Sequence, residues 1–196
     1  MLIMLRHGRT KANASGLLQG RIDPELDELG VRQAAAAAAL IGPVDRVIAS
    51  PLVRAQQTAA ALGQPVETDE RFIELDYGDW EGKPVKEVPA ETWAEWRATL
   101  DFRPPNGETL HELGTRVRAG LDDLAAEAVK KDIVVVSHVS PIKAAVAWAL
   151  GTGDETTWRL FLGQASICRI ATTLDSARLI EFNVTAHLAG LEEMLP

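Results

Sequence analysis

Arg6 and His7 follow directly on the apolar run LIML, and Gly8 comes next. A cation and an imidazole at the end of a buried-type strand, with no charge partner beside them in sequence, need company from elsewhere in the chain. Two other short apolar runs end in a similar way. DRVIAS delivers Ser50 and, in the turn after it, Arg54; DIVVVS delivers Ser137 and His138. If these strands are neighbours, two imidazoles and two guanidiniums converge on one pocket, and that set suits a phosphate. Arginine forks match phosphate oxygens bidentately and keep their charge at any working pH. A neutral histidine can attack phosphorus and carry the phosphoryl group covalently. A second histidine, if protonated, can donate to the phosphoryl oxygens as charge shifts in transfer.

Taken singly, each residue has an ordinary reading. A histidine after a strand is commonly a hydrogen-bonded structural residue. An arginine in a first helical turn is commonly a solvated charge, and the helix dipole disfavours it slightly. Their coincidence at three strand ends favours a shared anion. A metal site is the weaker reading: the four histidines show no HxH or HxxxH spacing, and arginines beside a cation would repel it.

The elements that must position these residues are legible in the pattern. Residues 2–5 suit a central strand buried on both faces. RQAAAAAALIG is alanine-rich and reads as helix, stopped by Gly42-Pro43. In SPLVRAQQTAAALG, Ser50 is the expected N-cap, Pro51 the first helical residue and Gly63 the terminator. PVETDERF is a third strand, IELDYGDWEGKP is irregular, and the segment from Val85 to Arg103 carries helical periodicity with Trp93 and Trp96 on one face. PPNGET caps a long amphipathic helix running to about Lys130, with Leu110, Leu113, Val117, Leu121 and Leu124 on its stripe. Pro141 is expected to begin the helix after DIVVVS, and ASICRIA and ARLIEFNV are two closing strands. Apolar strands alternating with helices predict an α/β fold, a three-layer sandwich around a mainly parallel sheet. In such sheets the ligand crevice lies beyond the carboxyl ends of the strands.

At 196 residues the chain reads as a single domain, 1–196, long enough to bury a core without staples. Its one cysteine, Cys168, excludes an internal disulfide and reads as a buried inert thiol. No leader pattern opens the sequence, and the apolar runs fall short of the about 20 residues that span a bilayer, so a cytoplasmic protein without membrane contact is expected. A net charge of −8 argues against nucleic acid as a partner. An anionic ligand then needs a local cation cluster that overcomes the global field.

The sequence resembles the histidine phosphatase superfamily in its phosphoglycerate mutase-like branch, over nearly the whole chain. The resemblance rests on LRHGRT at 5–10, LQGRIDPELDELG at 18–30, SPLVRAQQTA at 50–59, ELDYGDWEG at 74–82, PPNGET at 104–109 and SHVSPIK at 137–143. By similarity, His7 is the phosphorylated nucleophile, Arg6 and Arg54 clamp the phosphate, His138 is the second histidine and Glu74 the proton donor. Asp76 and Asp79 are alternatives to Glu74 on the same loop. The implied phosphate- and substrate-binding rim comprises Gly8, Thr10, Asn13, Gln19, Gly20 and Val139, with Gly8 letting the backbone turn closely past the phosphate. Arg9 and Val139 depart from the residues common in relatives, and both are expected to alter the rim. The resemblance implies no metal and no other cofactor.

The activity implied by the resemblance is that of a phosphomonoester hydrolase working through phosphohistidine on a small phosphorylated metabolite. Phosphoglycerate mutase-type transfer and a non-catalytic phospho-ligand-binding protein are the alternatives. The compact region between Glu74 and His138 favours hydrolysis, because the family's mutases tend to carry a longer insertion there. SHVSPIK and LQGRIDPELDELG are similar to the alpha-ribazole phosphatase group, and broad-specificity acid phosphatases share much of the pattern. Residues about 76–108, with Trp80, Trp93 and Trp96, form the expected cap or lid, with ordinary helix packing as the competing reading. A homodimer is left open.

Overall fold

The computed structural model describes residues 1–191. Six strands form one sheet in the order β3-β2-β4-β1-β5-β6, where β1 is Leu2–Arg6, β2 Arg46–Ala49, β3 Val66–Thr68, β4 Ile133–Ser137, β5 Ile167–Thr172 and β6 Ala177–Val184. The pairs β1–β4, β2–β4 and β2–β3 are parallel, and β5 and β6 add an antiparallel edge. The mainly parallel α/β sandwich expected from the pattern is therefore the observed fold.

The continuous apolar runs have a direct cause. Leu2 and Met4 of β1 face one core, whereas Ile3 and Leu5 face the other. On the first face lie α5 (Leu110–Ala128) and α6 (Val139–Leu150), which contribute Leu113, Val117, Leu121, Ile142 and Val146. On the second lie α2 (Glu28–Ile41) and α3 (Val53–Ala60), which meet the sheet through Ala37, Ala55 and Ala59. The small alanine side chains let these helices pack close to the sheet. A strand buried on both faces has no polar alternation, and each fully buried Leu, Ile or Met contributes about 1.5–3 kcal/mol. Cys168 is buried and free, and burial pushes its thiol up to about 11, as suits an inert core residue.

Three boundaries differ from the sequence reading. Leu52, not Ser50, is the N-cap of α3, and its apolar side chain supplies no cap; the Ser50 hydroxyl is bonded to His138 Nε2 at 2.7 Å and accepts the Leu52 N–H at 3.4 Å. Helix α6 begins at Val139 with His138 as N-cap, so Pro141 is its third residue, where the missing N–H costs no intrahelical bond. The expected helix from Val85 to Arg103 is divided into a 3₁₀ turn, Val85–Glu87, and α4, Ala90–Ala98, with Pro89 at the break as N-cap. Trp96 of α4 is buried at the hub of an aromatic cluster. Its ring centroid lies 5.5 Å from Trp93, Phe102 and Trp158, 5.6 Å from Trp80 and 5.8 Å from Tyr77. Among the described residues no helix is long and apolar enough to cross a membrane.

Candidate active site

Strand register brings the predicted residues together. Arg6 of β1 is paired with Ser137 of β4, and Ala49 of β2 with Val136. Since the three strands run parallel as neighbours, the residues just beyond them, His7, His138 and Ser50, emerge at one edge of the sheet. The N–H of His7 donates to the Ser137 carbonyl at 3.0 Å, and that of Ser50 to the Val136 carbonyl at 3.0 Å. The two imidazole centroids are 5.1 Å apart, and His138 Nε2 is 2.7 Å from Ser50 Oγ.

His7 is held in one tautomer. Its Nδ1 lies 2.7 Å from the Gly8 carbonyl oxygen, which can only accept, so Nδ1 carries the proton and Nε2 keeps its lone pair. Burial, with Arg6 and Arg54 close by, holds the ring well below the usual histidine range. His7 is therefore neutral at neutral pH, with a nucleophilic nitrogen whose direction is fixed. His138 is likewise held well below that range, chiefly by burial and next by Arg54, and its Nδ1 is buried without a partner.

Both arginines are buried, although backbone carbonyls satisfy only part of each fork. Arg6 Nη1 donates to the Leu162 carbonyl at 2.7 Å, and Arg54 donates through Nη1 and Nη2 to the Ile22 and Gly20 carbonyls, each at 2.7 Å. The Nε of each is buried and unpartnered. Burial draws Arg6 down to about 10, so it stays charged at neutral pH, and lowers Arg54 as well. Each arginine feels the Glu74 carboxylate, which opposes the shift. Two confined guanidiniums facing one carboxylate make a locally positive site in a chain of net charge −8, and an entering anion relieves their repulsion.

Glu74 reaches the site on the loop after β3. Ser137 Oγ donates to the Phe72 carbonyl at 2.7 Å and ties that loop to the end of β4. The carboxylate sits at the start of α6: Oε2 accepts the Val139 N–H at 3.1 Å, and Oε1 accepts those of Ser140 at 3.2 Å and Leu75 at 2.8 Å. The helix N-terminus favours a negative charge there. The backbone carbonyl of Glu74 accepts from Arg116 Nη2 at 3.2 Å, and Arg116 is itself clamped to Glu108 at 2.7 Å. The alternatives on the same loop are engaged elsewhere: Asp76 pairs with Arg21 at 3.3 Å, and Asp79 accepts from Asn106 at 3.1 Å.

A cleft of 140 Å³ is lined by Arg6, His7, Arg54 and Glu74, together with Asn13, Gln19, Gly20 and Val139 from the predicted rim. His138, Gly8 and Thr10 stand behind that wall. Thr10 is buried as the N-cap of the short helix α1 (Lys11–Ala14), and its hydroxyl is 2.9 Å from Gln19 Oε1, so it positions Asn13 and Gln19. Packing by itself requires glycine at position 8, since a Cβ there would lie 2.3 Å from the Gly30 carbonyl oxygen. Arg9, expected at the rim, is paired with Asp27 at 2.8 Å and does not line the cleft. Tyr77, Leu17 and Leu18 also line the cleft and received no role from the sequence. For Tyr77 a signal existed, because it lies within the ELDYGDWEG stretch three residues after Glu74. Among the described residues no three His, Cys, Asp or Glu side chains are grouped to hold a metal ion.

The buried neutral imidazoles make stability depend on pH. The unfolded chain takes up protons on His7 and His138 near pH 6.5, while the folded chain resists them, so stability is full above that value and is lost as pH falls below it. Urea unfolding at about pH 7.5, 6.5 and 5.5 should show a loss of about 2 kcal/mol over the lower interval and less than half of that over the upper one. A flat profile would mean that the folded protein binds these protons as readily as the unfolded chain.

The model of the histidine phosphatase superfamily (branch 1) matches residues 2–185. A bifunctional protein of Mycobacterium tuberculosis is 35% identical over 198 residues, covering 95% of this chain and 54% of its own length. This chain thus spans about half the length of that relative. A glucosyl-3-phosphoglycerate phosphatase of Mycolicibacterium vanbaalenii is 36% identical over 192 residues, covering 87% of this chain and 83% of its own. Among solved structures, a mutant phosphoserine phosphatase of Entamoeba histolytica in complex with phosphoserine superimposes with a TM-score of 0.86 at 30% identity, covering 95% of this chain and 98% of that one.

Proposed function

The chain belongs to branch 1 of the histidine phosphatase superfamily, and from that membership we propose that it hydrolyses phosphate monoesters of small metabolites through a phosphohistidine at His7, with no metal ion. One observation carries the reading: His7 Nδ1 is committed to the Gly8 carbonyl, which leaves a neutral Nε2 in a cleft that it shares with Arg6 and Arg54.

In the first step Nε2 attacks phosphorus as the ester P–O bond breaks, and the departing electron pair becomes a hydroxyl by taking a proton from the Glu74 carboxyl. That proton enters with the substrate, since a phosphate and a carboxylate brought together in a confined cleft hold one proton between them. Arg6 and Arg54 bind the phosphoryl oxygens as charge spreads over them. His138, whose ring packs 5.1 Å from that of His7 and whose Nε2 is bonded to Ser50, feels the charge of a bound phosphate, which favours its protonated form. In the second step Glu74 takes a proton from water, which attacks phosphorus; the N–P bond breaks and its electron pair returns to Nε2. One carboxyl serves both steps in alternation.

Phosphatases among the relatives and neighbours support hydrolysis of small esters for this chain. The cleft wall also supports hydrolysis over mutase-type transfer, because its two arginines are both needed for one phosphoryl group and no second cation pair lines it among the described residues. The segment 76–108, through Tyr77, Trp93 and Trp96, would cover the leaving group as a cap. A single buried thiol is compatible with a reducing cytoplasm as its compartment.

The test is turnover of p-nitrophenyl phosphate with and without EDTA, and then of 3-phosphoglycerate with a bisphosphate primer. Chelator-resistant release of inorganic phosphate is expected from both. Loss of turnover in EDTA would point to a metal route, accumulation of an isomer to a mutase, and binding without turnover to a phospho-ligand-binding protein.

A further inference from the structure

Arg54 donates to the carbonyls of Gly20 and Ile22, so the orientation of those two peptide groups decides where its fork points. The Gly20 carbonyl belongs to the same peptide unit as the Arg21 N–H. In a trans peptide the two point in opposite directions, and the far side of this one meets Glu81, whose Oε1 accepts the Arg21 N–H at 2.7 Å. The Ile22 N–H donates to Oε2 of the same carboxylate at 3.1 Å, and the Tyr77 N–H donates to Oε1 at 3.3 Å. Glu81 lies in the ELDYGDWEG stretch and has no part in the chemistry described so far. We propose that Glu81 is a positioning residue for the phosphate clamp, acting on Arg54 through the Gly20–Arg21 peptide. The inference rests on the phosphatase reading for its consequence in turnover, while phosphate binding tests it without turnover.

Gly20 has a φ of +53°, and a peptide that follows a glycine can turn over at little steric cost. Turned over, this one would aim an N–H at the Arg54 guanidinium in place of a carbonyl. The Glu81 carboxylate opposes that rotation, because a charge-assisted hydrogen bond would be lost with it. The approach is close: a Cβ at position 20 would lie 2.0 Å from Glu81 Oε1, so only glycine lets the carboxylate reach its peptide undisturbed. An anionic acceptor on the N–H also polarises the peptide and makes its carbonyl a stronger acceptor for Arg54. Burial lowers the Arg54 cation, and Glu74, Asp23 and Glu81 support it, in that order. Of the three carboxylates, Glu81 is the one bonded to a peptide that carries an Arg54 acceptor. The fork so held keeps donors for a ligand, since each Nη has a second N–H and the buried Nε is unpartnered. A guanidinium fixed before the phosphate arrives loses less freedom on binding it.

The experiment titrates inorganic phosphate into the unaltered protein and its variants by calorimetry, with kcat/KM for p-nitrophenyl phosphate measured alongside. Glu81→Gln keeps the shape of the side chain but turns its amide N–H groups toward backbone N–H groups, and should weaken phosphate binding by about tenfold. Gly20→Ala drives the carboxylate away from the other side and should weaken binding to a similar extent. Coupling is the readout that a general loss of packing would not give. In an Arg54→Met background, where the clamp is gone, Glu81→Gln should change phosphate affinity and kcat/KM by less than about twofold. Near-ultraviolet circular dichroism of the tryptophans reports that each variant is folded. Equal losses with and without Arg54, or undiminished phosphate affinity in Glu81→Gln or Gly20→Ala, overturn the positioning role. An unaltered protein that does not bind phosphate overturns it too. If phosphate binds and the coupling appears while p-nitrophenyl phosphate is not turned over, the phosphatase reading falls and the positioning of Arg54 stands.

Discussion

Replacing His7 with alanine should lower turnover of any phosphate monoester by about ten-thousandfold or more, with loss of the phosphoryl-enzyme. The size of the effect comes from chemistry that no neighbour can supply. His138 is the nearest imidazole, but its Nε2 is already bonded to Ser50 and its ring stands behind the cleft wall. Water could still attack a phosphate held by Arg6 and Arg54, yet the one carboxyl that could activate it, Glu74, is committed in that step to protonating the departing alcohol. Rapid quenching of labelled substrate is the measurement. The unaltered protein should yield an acid-labile, base-stable label, whereas His7→Ala should yield none. Persistent turnover in the variant would remove His7 from the chemistry and sink the phosphohistidine route. Phosphate binding should survive the substitution, because both guanidiniums remain, and titration with inorganic phosphate would separate binding from chemistry.

Glu74→Gln should cost about a hundredfold to ten-thousandfold toward alkyl phosphates and far less in the first step with p-nitrophenyl phosphate. The distinction lies in the leaving oxygen. An alkoxide is a poor leaving group and needs its proton as the bond breaks, whereas nitrophenolate departs without one. Glutamine keeps the shape of the side chain but neither gives nor takes a proton on this timescale. Its amide also cannot accept all three N–H groups that now converge on the carboxylate from Leu75, Val139 and Ser140. The second step should slow for every substrate, since water then lacks its base, so a burst of nitrophenolate should precede slow turnover. Equal losses on alkyl and aryl esters with no burst would assign Glu74 a structural part only, the anchoring of its loop to the start of α6.

The site was legible from sequence to an unequal degree. Arg6, His7 and His138 stood out because polar residues at the ends of fully apolar strands seldom serve packing alone. Arg54 was marked by its place one turn beyond a third strand end. Glu74 needed the family resemblance, since a carboxylate on an irregular loop has no periodicity to mark it. The reading of Ser50 as a helix cap failed because α3 starts only at Val53, while the Ser50 hydroxyl serves the Leu52 N–H and also His138, the N-cap of α6, 88 positions away in the chain. Gly8 was identified, but the contact with Gly30 that excludes a side chain there is one that only the fold supplies.

By itself the sequence determined the α/β class, the buried strands and the polar residues that end them, all of which arise from local patterns of apolarity, helix propensity and residue type. Only the tertiary structure decided which strands are neighbours and in what register, and so that two histidines and two arginines meet at one edge. It also decided that His7 presents Nε2 and that Glu74 rests on the amides of α6. The physical reason is common to these cases. Register, tautomer and burial arise from contacts between residues far apart in the chain, and such contacts leave no periodic trace along it.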